Sequence, residues 1–398
     1  MQFENTSIAQ RDESSSSWGG VFALSLCVFT LIASEFMPVS LLTPIANELH
    51  ISEGQAGQAI SVSGGFAVLT SLFISAIAGR LDRRSLLLAL TGLMIASGVI
   101  VATAPSYMVF MIGRALIGIV IGGFWSLSAA TAMRLVPEQQ VPRALAILNG
   151  GNALATVVAA PLGSFLGGII GWRGAFFCIV PVAVVVFIWQ FISLPSMKTE
   201  ERATSGHVFY LLCRPVVCLG MAAVSVFFMG QFALFTYLRP FLETVTQVDL
   251  SALSLLLLLI GVTGFIGTLL IERFVRNGLY RTLIVIPAVM AVIAAALIGF
   301  GTSLLVTAGL LGLWGLLATS APVGWWTWLS RTMPRDAEAG GGLMVAVVQL
   351  AITVGATVGG VLFDASGYQA TFGAAAVLLV IAAWLAAKTA QQSALLAS

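Results

Sequence analysis

Residues 35–44 read EFMPVSLLTP, and residues 231–240, 196 positions later, read QFALFTYLRP. The same offset relates AxxG at residues 160–163 to AxxG at 356–359, and GWxxxF at 171–176 to GYxxxF at 367–372. Constant spacing over matched proline, glycine and aromatic positions predicts two halves with one architecture. The halves differ at one informative point, because the acid Glu35 corresponds to the amide Gln231.

The composition is that of a membrane protein. Hydrophobic residues make up 59% of the 398 positions and charged residues only 9%, whereas soluble proteins average about 25% charged residues. The apolar stretches run about 20 residues, enough for a helix to cross a hydrocarbon core of about 30 Å. Hydropathy predicts an all-α membrane protein with twelve transmembrane helices in two six-helix repeats, near residues 20–45, 54–79, 85–104, 107–132, 142–168, 174–194, 215–242, 251–272, 280–301, 304–329, 340–363 and 369–387. Repeats of this kind are typical of transporters whose binding site lies between them.

The basic residues predict the orientation. With a cytoplasmic N-terminus, 15 of the 18 Lys and Arg residues lie on the cytoplasmic side, Arg173 and Arg239 lie outside, and Arg114 lies within a span. This bias follows the positive-inside rule, so both termini are expected in the cytoplasm. The net charge of +2 then reflects orientation, and no nucleic-acid partner is expected.

The polar segments divide the chain. We expect an N-terminal six-helix bundle over residues 1–194, a cytoplasmic linker over 195–214 and a C-terminal six-helix bundle over 215–398. The other loops are too short to hold a soluble catalytic domain. The sequence contains no nucleotide-binding P-loop motif, so ATP is not expected as a direct energy source. The polar first 17 residues do not predict a cleaved signal peptide.

Several motifs resemble the drug:proton antiporter-1 branch of the major facilitator superfamily. They are GRLDRR at residues 79–84, Arg114 with Gly118, APLGS at 160–164 and GWR at 171–173. Longer strings, at residues 35–44, 124–126, 230–232, 235–240, 322–325 and 345–350, are similar to purine nucleoside exporters of that superfamily.

The resemblance implies a proton-coupled secondary transporter of the bacterial inner membrane that works by alternating access. It would export a small organic solute, with purine nucleosides as the first expectation and sugars or hydrophobic drugs as alternatives. It further implies protons and membrane lipids as partners, no cofactor or metal, and a monomer.

Two ionisable residues, Glu35 and Arg114, lie clearly inside predicted spans. A charge at such a depth costs about 2.5–3.5 kcal/mol on insertion scales and is a functional hypothesis by default. Residue counts place Glu35 about 18 Å and Arg114 about 10 Å from the outer helix ends. We predict that the two residues interact and couple transport to protons; a buried structural ion pair is the alternative.

Aromatic and amide side chains on the predicted cavity helices suit a flat ligand with polar edges, such as a nucleobase. The predicted substrate-binding residues are Phe124, Trp125, Asn149, Asn152, Gln231, Phe235, Tyr237, Trp325 and Gln349. The predicted gating loop contains Arg80, Asp82, Arg83 and Arg84. Since proline removes a backbone donor, Pro38, Pro161 and Pro240 are predicted hinges, with purely structural kinks as the alternative.

Two other classes of protein fit the sequence less well. A membrane enzyme would need a nucleophile–base pair or metal ligands within the spans. Both histidines, His50 and His207, lie in predicted loops, so no enzymatic activity is expected. A channel is a third class, but a pore would not require the asymmetric acid at Glu35.

Overall fold

The computed structural model describes residues 17–78, 81–197, 209–333 and 337–397. Within these ranges the chain is helical and contains no β-strand. The α-helices are α1 (Trp18–Leu49), α2 (Glu53–Ala78), α3 (Arg83–Ala102), α4 (Tyr107–Arg134), α5 (Val141–Phe177), α6 (Ile179–Ser193), α7 (Pro215–Phe235), α8 (Leu238–Thr244), α9 (Leu250–Phe300), α10 (Leu304–Thr332) and α11 (Ala337–Ala397). Short 3₁₀ turns cover Glu138–Gln140 and Phe209–Cys213.

The described ranges contain nine helical stretches that are long and apolar enough to cross a membrane. Three of these, Val141–Ser193, Leu250–Phe300 and Gly340–Leu395, exceed 50 residues. A straight helix of that length would measure about 75 Å, more than twice the hydrocarbon thickness of about 30 Å. Each of the three must therefore turn back within its length, and the protein crosses the membrane several times.

Glycines interrupt the three longest helices. Gly171 in α5 has φ 74° and ψ 165°, and Gly367 in α11 has φ 76° and ψ −173°. Side chains exclude this region of backbone space, so glycine is required at both positions. The two residues are related by the 196-residue offset seen in the sequence. In α9 the interruption is at Gly278, whose φ of 179° is extended.

The seventh predicted span, residues 215–242, is divided in the structure. The helix α7 ends at Phe235 and α8 begins at Leu238. Pro240 has no N–H to donate to the carbonyl of Thr236, so a continuous helix would lose a hydrogen bond here. By contrast, Pro38 and Pro161 lie inside α1 and α5, which continue through them.

Three clusters of buried apolar side chains hold the helices together. The largest is formed by residues of the second half together with Val39 and Ile60 from the first. The other two lie in the first half, one toward the end rich in arginine and one toward the opposite end, where Tyr237 of the second half joins it. The two halves therefore pack directly against each other.

Candidate functional site

The two intramembrane charges lie at the centre of the first half. Glu35 on α1 has 3% of its surface exposed, and Arg114 on α4 is fully buried. Both helices are long and apolar enough to span a membrane. Burial without solvent requires that each charged group find polar partners within the protein.

Arg114 finds its partners on α1 and α2. Its guanidinium donates to the carbonyl oxygens of Ser34 at 2.8 Å, Glu35 at 2.9 Å and Ala59 at 3.2 Å, and to the Ser63 hydroxyl at 3.2 Å. Its contact with Glu35 thus runs through the main chain. Among the described residues, no ion pair within 4.0 Å joins the Arg114 guanidinium to the Glu35 carboxylate. Arg114 fixes three helices together and leaves the carboxylate for other contacts.

The Glu35 carboxylate makes its contact across the two halves. Gln349 Nε2 on α11 donates to Glu35 Oε1 at 3.4 Å. The other amide atom of Gln349, its Oε1, is buried and has no hydrogen-bond partner within the described chain. Gln231 Oε1 on α7 is likewise buried and has no hydrogen-bond partner within the described chain. Two amide acceptors near the junction of the halves are therefore available to a ligand that donates N–H or O–H groups.

An aromatic pair also joins the halves. The rings of Phe36 and Phe232 stack with centroids 5.6 Å apart, and Phe235 meets Phe232 edge-on at 6.1 Å. Phe36 and Phe232 are related by the 196-residue offset, so equivalent residues of the two halves face one another. Phe232 lies on a helix predicted to face the cavity, whereas Phe36 is not among the predicted binding residues, although it stands in the repeated motif beside Glu35.

The remaining predicted substrate residues lie in different environments. Trp125 and Asn152 are half-buried, and Asn149 is exposed and donates to the Leu145 carbonyl at 2.9 Å. Phe124 and Trp325 are packed in the apolar clusters of their own halves. In this conformation those two rings cannot touch a ligand lying between the halves, so a binding role for them would require repacking.

Tyr237 lies at the contact between α2 and α11 and is fully buried. Its hydroxyl donates to the Ala356 carbonyl at 2.8 Å, and its ring stacks on Phe363 at 5.3 Å. A Cβ atom built on Gly57 of α2 would come within 2.1 Å of the Tyr237 hydroxyl. Tyr237, a predicted substrate-binding residue, therefore packs tightly in the seam between the halves, where α2 meets α11.

Further contacts close the same end of the molecule. Asp364, near the break in α11, accepts hydrogen bonds from the Ser52 hydroxyl at 2.5 Å and the Gly54 N–H at 2.9 Å at the start of α2. Arg239 of α8 donates to the carbonyl of Ser40 in α1. All of these bonds join one half to the other at the end opposite the arginine-rich loops.

The predicted gating loop is anchored within its own half. Asp82 caps α3 by accepting from the Arg84 N–H at 3.0 Å, and it also accepts from the Ser196 hydroxyl at 2.5 Å and the Met197 N–H at 2.8 Å. Partial burial opposes ionisation of Asp82, but these donors and the Arg84 cation outweigh it and hold the carboxyl pKa below its usual value. Arg84 in turn donates to the Phe191 carbonyl at 2.7 Å.

Of the other two arginines in the predicted gating loop, the structure describes one. The Arg83 N–H donates to the Met197 carbonyl at 3.2 Å, which reinforces the same link to the end of α6. Arg80 lies outside the described residues.

In the described part of the chain, no group of three His, Cys, Asp or Glu residues could hold a metal ion.

Sequence comparison finds relatives over nearly the whole chain. The family model of the Major Facilitator Superfamily matches residues 24–352. A Pseudomonas aeruginosa protein named transcription regulatory protein OpdE is 63% identical over 389 residues, which are 97% of each chain. A Salmonella typhimurium protein named purine ribonucleoside efflux pump NepI is 42% identical over 371 residues, which are 93% of this chain and 94% of its own.

Solved structures share the fold at low sequence identity. A bacterial homologue of the human lysosomal transporter Spinster, in an inward-facing and unoccupied conformation, has a TM-score of 0.75 at 17% identity and covers 95% of this chain and 98% of that one. A D-xylose–proton symporter has a TM-score of 0.73 at 16% identity, covering 94% and 97%.

Proposed function

Because the chain belongs to the Major Facilitator Superfamily, we propose that it is a proton-coupled exporter of purine nucleosides that works by alternating access. The observation that carries the proposal is the buried Glu35 carboxylate, which is bonded across the two halves to Gln349. A group that binds a proton at this position changes a contact on which the relative position of the halves depends.

Twelve spans in two repeats are the architecture we propose. Dividing α5, α9 and α11 at their glycine breaks, with α6 following the first break and α8 continuing α7, gives six spans in each half. Contacts between the halves support the symmetry. Gly54 meets Asp364, and the positions related to them by the 196-residue offset, Leu250 and Gly168, also meet. The domains would be residues 1–194 and 215–398, joined by a linker over 195–214.

The orientation we propose is the one predicted from the basic residues, with both termini in the cytoplasm of a bacterial inner membrane. The seam at Tyr237 and Asp364 then lies on the outer side. The contacts between the halves described there would close the outer entrance, and alternating access would require them to open. Transporters built from repeats bind substrate near the membrane midplane, at the level of Glu35 and Gln349.

Gln349 suits a proton-coupling role because its amide both donates and accepts. With Glu35 ionised, the amide nitrogen donates to the carboxylate, as in the observed contact. With Glu35 protonated, the carboxyl hydroxyl can donate to the amide oxygen, which here has no other partner in the described chain. Proton binding would thus exchange one bond for another and occupy the amide oxygen, so a proton and a ligand that donates to that oxygen would compete, as exchange of substrate for protons requires.

The substrate class rests on the polar and aromatic groups between the halves. The carbonyl oxygens of Gln231 and Gln349 call for a ligand with hydrogen-bond donors, which purine edges and ribose hydroxyls supply. The pair of Phe36 and Phe232 offers a face on which a base would stack, worth about 1–3 kcal/mol. The Salmonella relative, named a purine ribonucleoside efflux pump, supports this class; sugars and drugs are the alternatives.

The relative named a transcription regulatory protein suggests a second role. Since this chain is a multi-pass membrane protein, we propose that any effect it has on transcription follows from the concentration of the exported solute. Supplying that solute to a strain without the protein would then reproduce the transcriptional effect.

The test is transport in proteoliposomes with an acidic interior and the protein inserted inside-out. Labelled purine nucleoside should accumulate in the vesicles and escape when a protonophore collapses the pH gradient. Glu35→Gln should lose accumulation driven by pH and retain nucleoside exchange without a gradient. Glu272→Gln, an exposed acid of α9, is the matched control and should behave as wild type.

Two results would contradict different parts of this proposal. Accumulation driven by pH in Glu35→Gln would overturn the coupling role. Accumulation of a sugar or a cationic drug, but not of any nucleoside, would replace the substrate class while leaving the coupling intact.

A further inference from the structure

A cavity of about 880 Å³ opens at the arginine-rich end of the second half. It is bounded by the start of α7, the break in α9, the end of α10 and the last turns of α11. Three exposed arginines line it, each from a different helix boundary: Arg214, Arg276 and Arg331. No carboxylate is among its described lining residues, so every charged side chain of the described wall is basic.

The first half fills the equivalent place with its own anion. The 196-residue offset relates Asp82 to Gly278 and Met197 to Ser393, and both Gly278 and Ser393 line the cavity. In the first half, the Asp82 carboxylate collects three donors, including the Met197 N–H. In the second half the carboxylate is replaced by a glycine, and none of the described lining residues supplies another acid.

The lining groups match a phosphate in particular. Arginine presents a planar fork of N–H donors that fits phosphate oxygens two at a time. The first turn of α7 also lines the cavity, and the positive end of the helix dipole there favours an anion. Asn277, Tyr280 and Thr332 add neutral donors around the rim.

We propose that this cavity binds a phosphate group, in the position that Asp82 occupies in the first half. Two sources carry this chemistry: the headgroup of an anionic phospholipid of the adjacent leaflet, and a free phosphate compound in the surrounding solution. Only the identification of that side as cytoplasmic rests on the orientation proposed above. The site lies within one half, apart from the contact between Glu35 and Gln349, so its occupancy is measured independently of transport.

The first experiment measures binding to the purified full chain in neutral detergent. Inorganic phosphate and phosphatidylglycerol are titrated separately, with phosphatidylcholine as the neutral lipid, and the rise in the thermal unfolding midpoint is recorded. Arg276→Ala and Arg331→Ala should each weaken binding about fivefold, from about 1 kcal/mol per arginine near a membrane surface. Arg273→Ala is the matched control, because Arg273 is exposed on the same helix but does not line the cavity.

A second test introduces a carboxylate at position 278 and leaves every arginine in place. Gly278 has an extended φ that any residue adopts, and a Cβ there would meet only the Arg281 Cβ, at 3.6 Å. Gly278→Asp should abolish phosphate binding, whereas the neutral Gly278→Asn should retain most of it.

The outcomes separate the sources and test the site. Binding of phosphatidylglycerol alone supports a lipid headgroup, and binding of inorganic phosphate as well supports a site for phosphate from either source. Binding of neither overturns the proposal. So does an equal loss in Arg273→Ala and Arg276→Ala, or equal binding by Gly278→Asp and Gly278→Asn, because either result would indicate general surface attraction.

Discussion

Glu35 and Arg114 are both buried among apolar helices, but their partners give them different roles. Arg114 satisfies three backbone carbonyls and one hydroxyl, whereas Glu35 contacts one amide that moves with the other half. Replacing Arg114 would leave the Ser34 carbonyl without a donor, because Pro38, four residues on in α1, has no N–H, at a cost of about 1–3 kcal/mol. The residue is therefore expected to act first on stability.

We predict that Arg114→Lys both lowers the thermal unfolding midpoint and impairs transport. An ammonium keeps the charge but lacks the planar fork with which Arg114 of α4 bonds to α1 and α2 at once. Glu35→Gln should leave the midpoint near that of wild type, since glutamine can still bond to Gln349. Thermal unfolding of both variants in detergent provides the measurement. A wild-type midpoint for Arg114→Lys would contradict the structural role derived from its contacts.

At these positions the sequence predicted that Glu35 and Arg114 interact but not the geometry of their bonds. Residue counting along α1 and α4 placed Glu35 and Arg114 near one another, as rise per residue allows. It could not determine that the guanidinium would bond to main-chain carbonyls, because that depends on how closely three helices approach. Phe124 and Trp325 show the same limit: aromatic residues on a cavity helix can face its own bundle or the other one.

Among the structural elements, α3 depends on a cap that also ties it to the end of α6. Asp82→Ala would remove the acceptor of three donors, whereas Asp249→Ala would remove only the cap of α9, a single bond to the Ala252 N–H at 2.8 Å. Loss of a cap costs about 0.5–2 kcal/mol. We expect Asp82→Ala to reduce the thermal unfolding midpoint more than Asp249→Ala, and an equal reduction would show that the link to residues 196–197 contributes nothing.

The same carboxyl gives a pH dependence with a definite sign. Its pKa is lower in the folded protein than in the unfolded chain, so ionised Asp82 stabilises the fold. That contribution is complete above the unfolded value of about 4 and is lost as pH falls through the lower, folded value. The stability difference between wild type and Asp82→Asn should therefore be constant near neutral pH and shrink below about pH 4. A difference that instead grew on acidification would contradict the assignment.

The seam between α2 and α11 gives the next prediction. A Cβ on Gly57 would lie 2.1 Å from the Tyr237 hydroxyl, whereas a Cβ on Gly65 of the same helix would meet nothing within 4 Å. Overpacking costs about 1–3 kcal/mol, a shift of about 5- to 150-fold between closed and open seams. Gly57→Ala should slow transport and increase labelling of a cysteine placed at the outer end of α2, with Gly65→Ala as the control. Normal transport and labelling in Gly57→Ala would mean that the seam stays open during the cycle.

Helix positions were predictable from hydropathy because a run of apolar residues of membrane length has few other solutions. The division of α7 from α8 was not, since proline is tolerated in membrane helices when its surroundings satisfy the freed carbonyl. Pro38 and Pro161 left their helices intact, and Pro240 did not. Proline alone therefore does not identify a break, whereas glycines at positive φ, such as Gly171, do.

Across the whole molecule, the offset of 196 residues relates contacts as well as sequence. The glycines that break α5 and α11 correspond, Phe36 stacks on its own counterpart Phe232, and the contact of Gly54 with Asp364 corresponds to that of Leu250 with Gly168. The symmetry fails where charge is concerned: Glu35 corresponds to Gln231 and Asp82 to Gly278. A matched scaffold with unmatched charges is the arrangement expected of two bundles that rock against each other while one carries the proton.

If the bundles rock, a covalent link across their outer ends must stop the cycle. The Ser52 hydroxyl donates to the Asp364 carboxylate at 2.5 Å, so cysteines at these two positions would be near neighbours and should form a disulfide when their Cβ atoms come within about 3.5–4.5 Å. In a background with Cys27, Cys178, Cys213 and Cys218 replaced, oxidation of Ser52→Cys/Asp364→Cys should halt transport and reduction should restore it. Each single-cysteine variant should be insensitive to the oxidant. Transport that continued in the fully cross-linked protein would require a path that does not open between the halves at this end, and alternating access would then be the wrong mechanism for this chain.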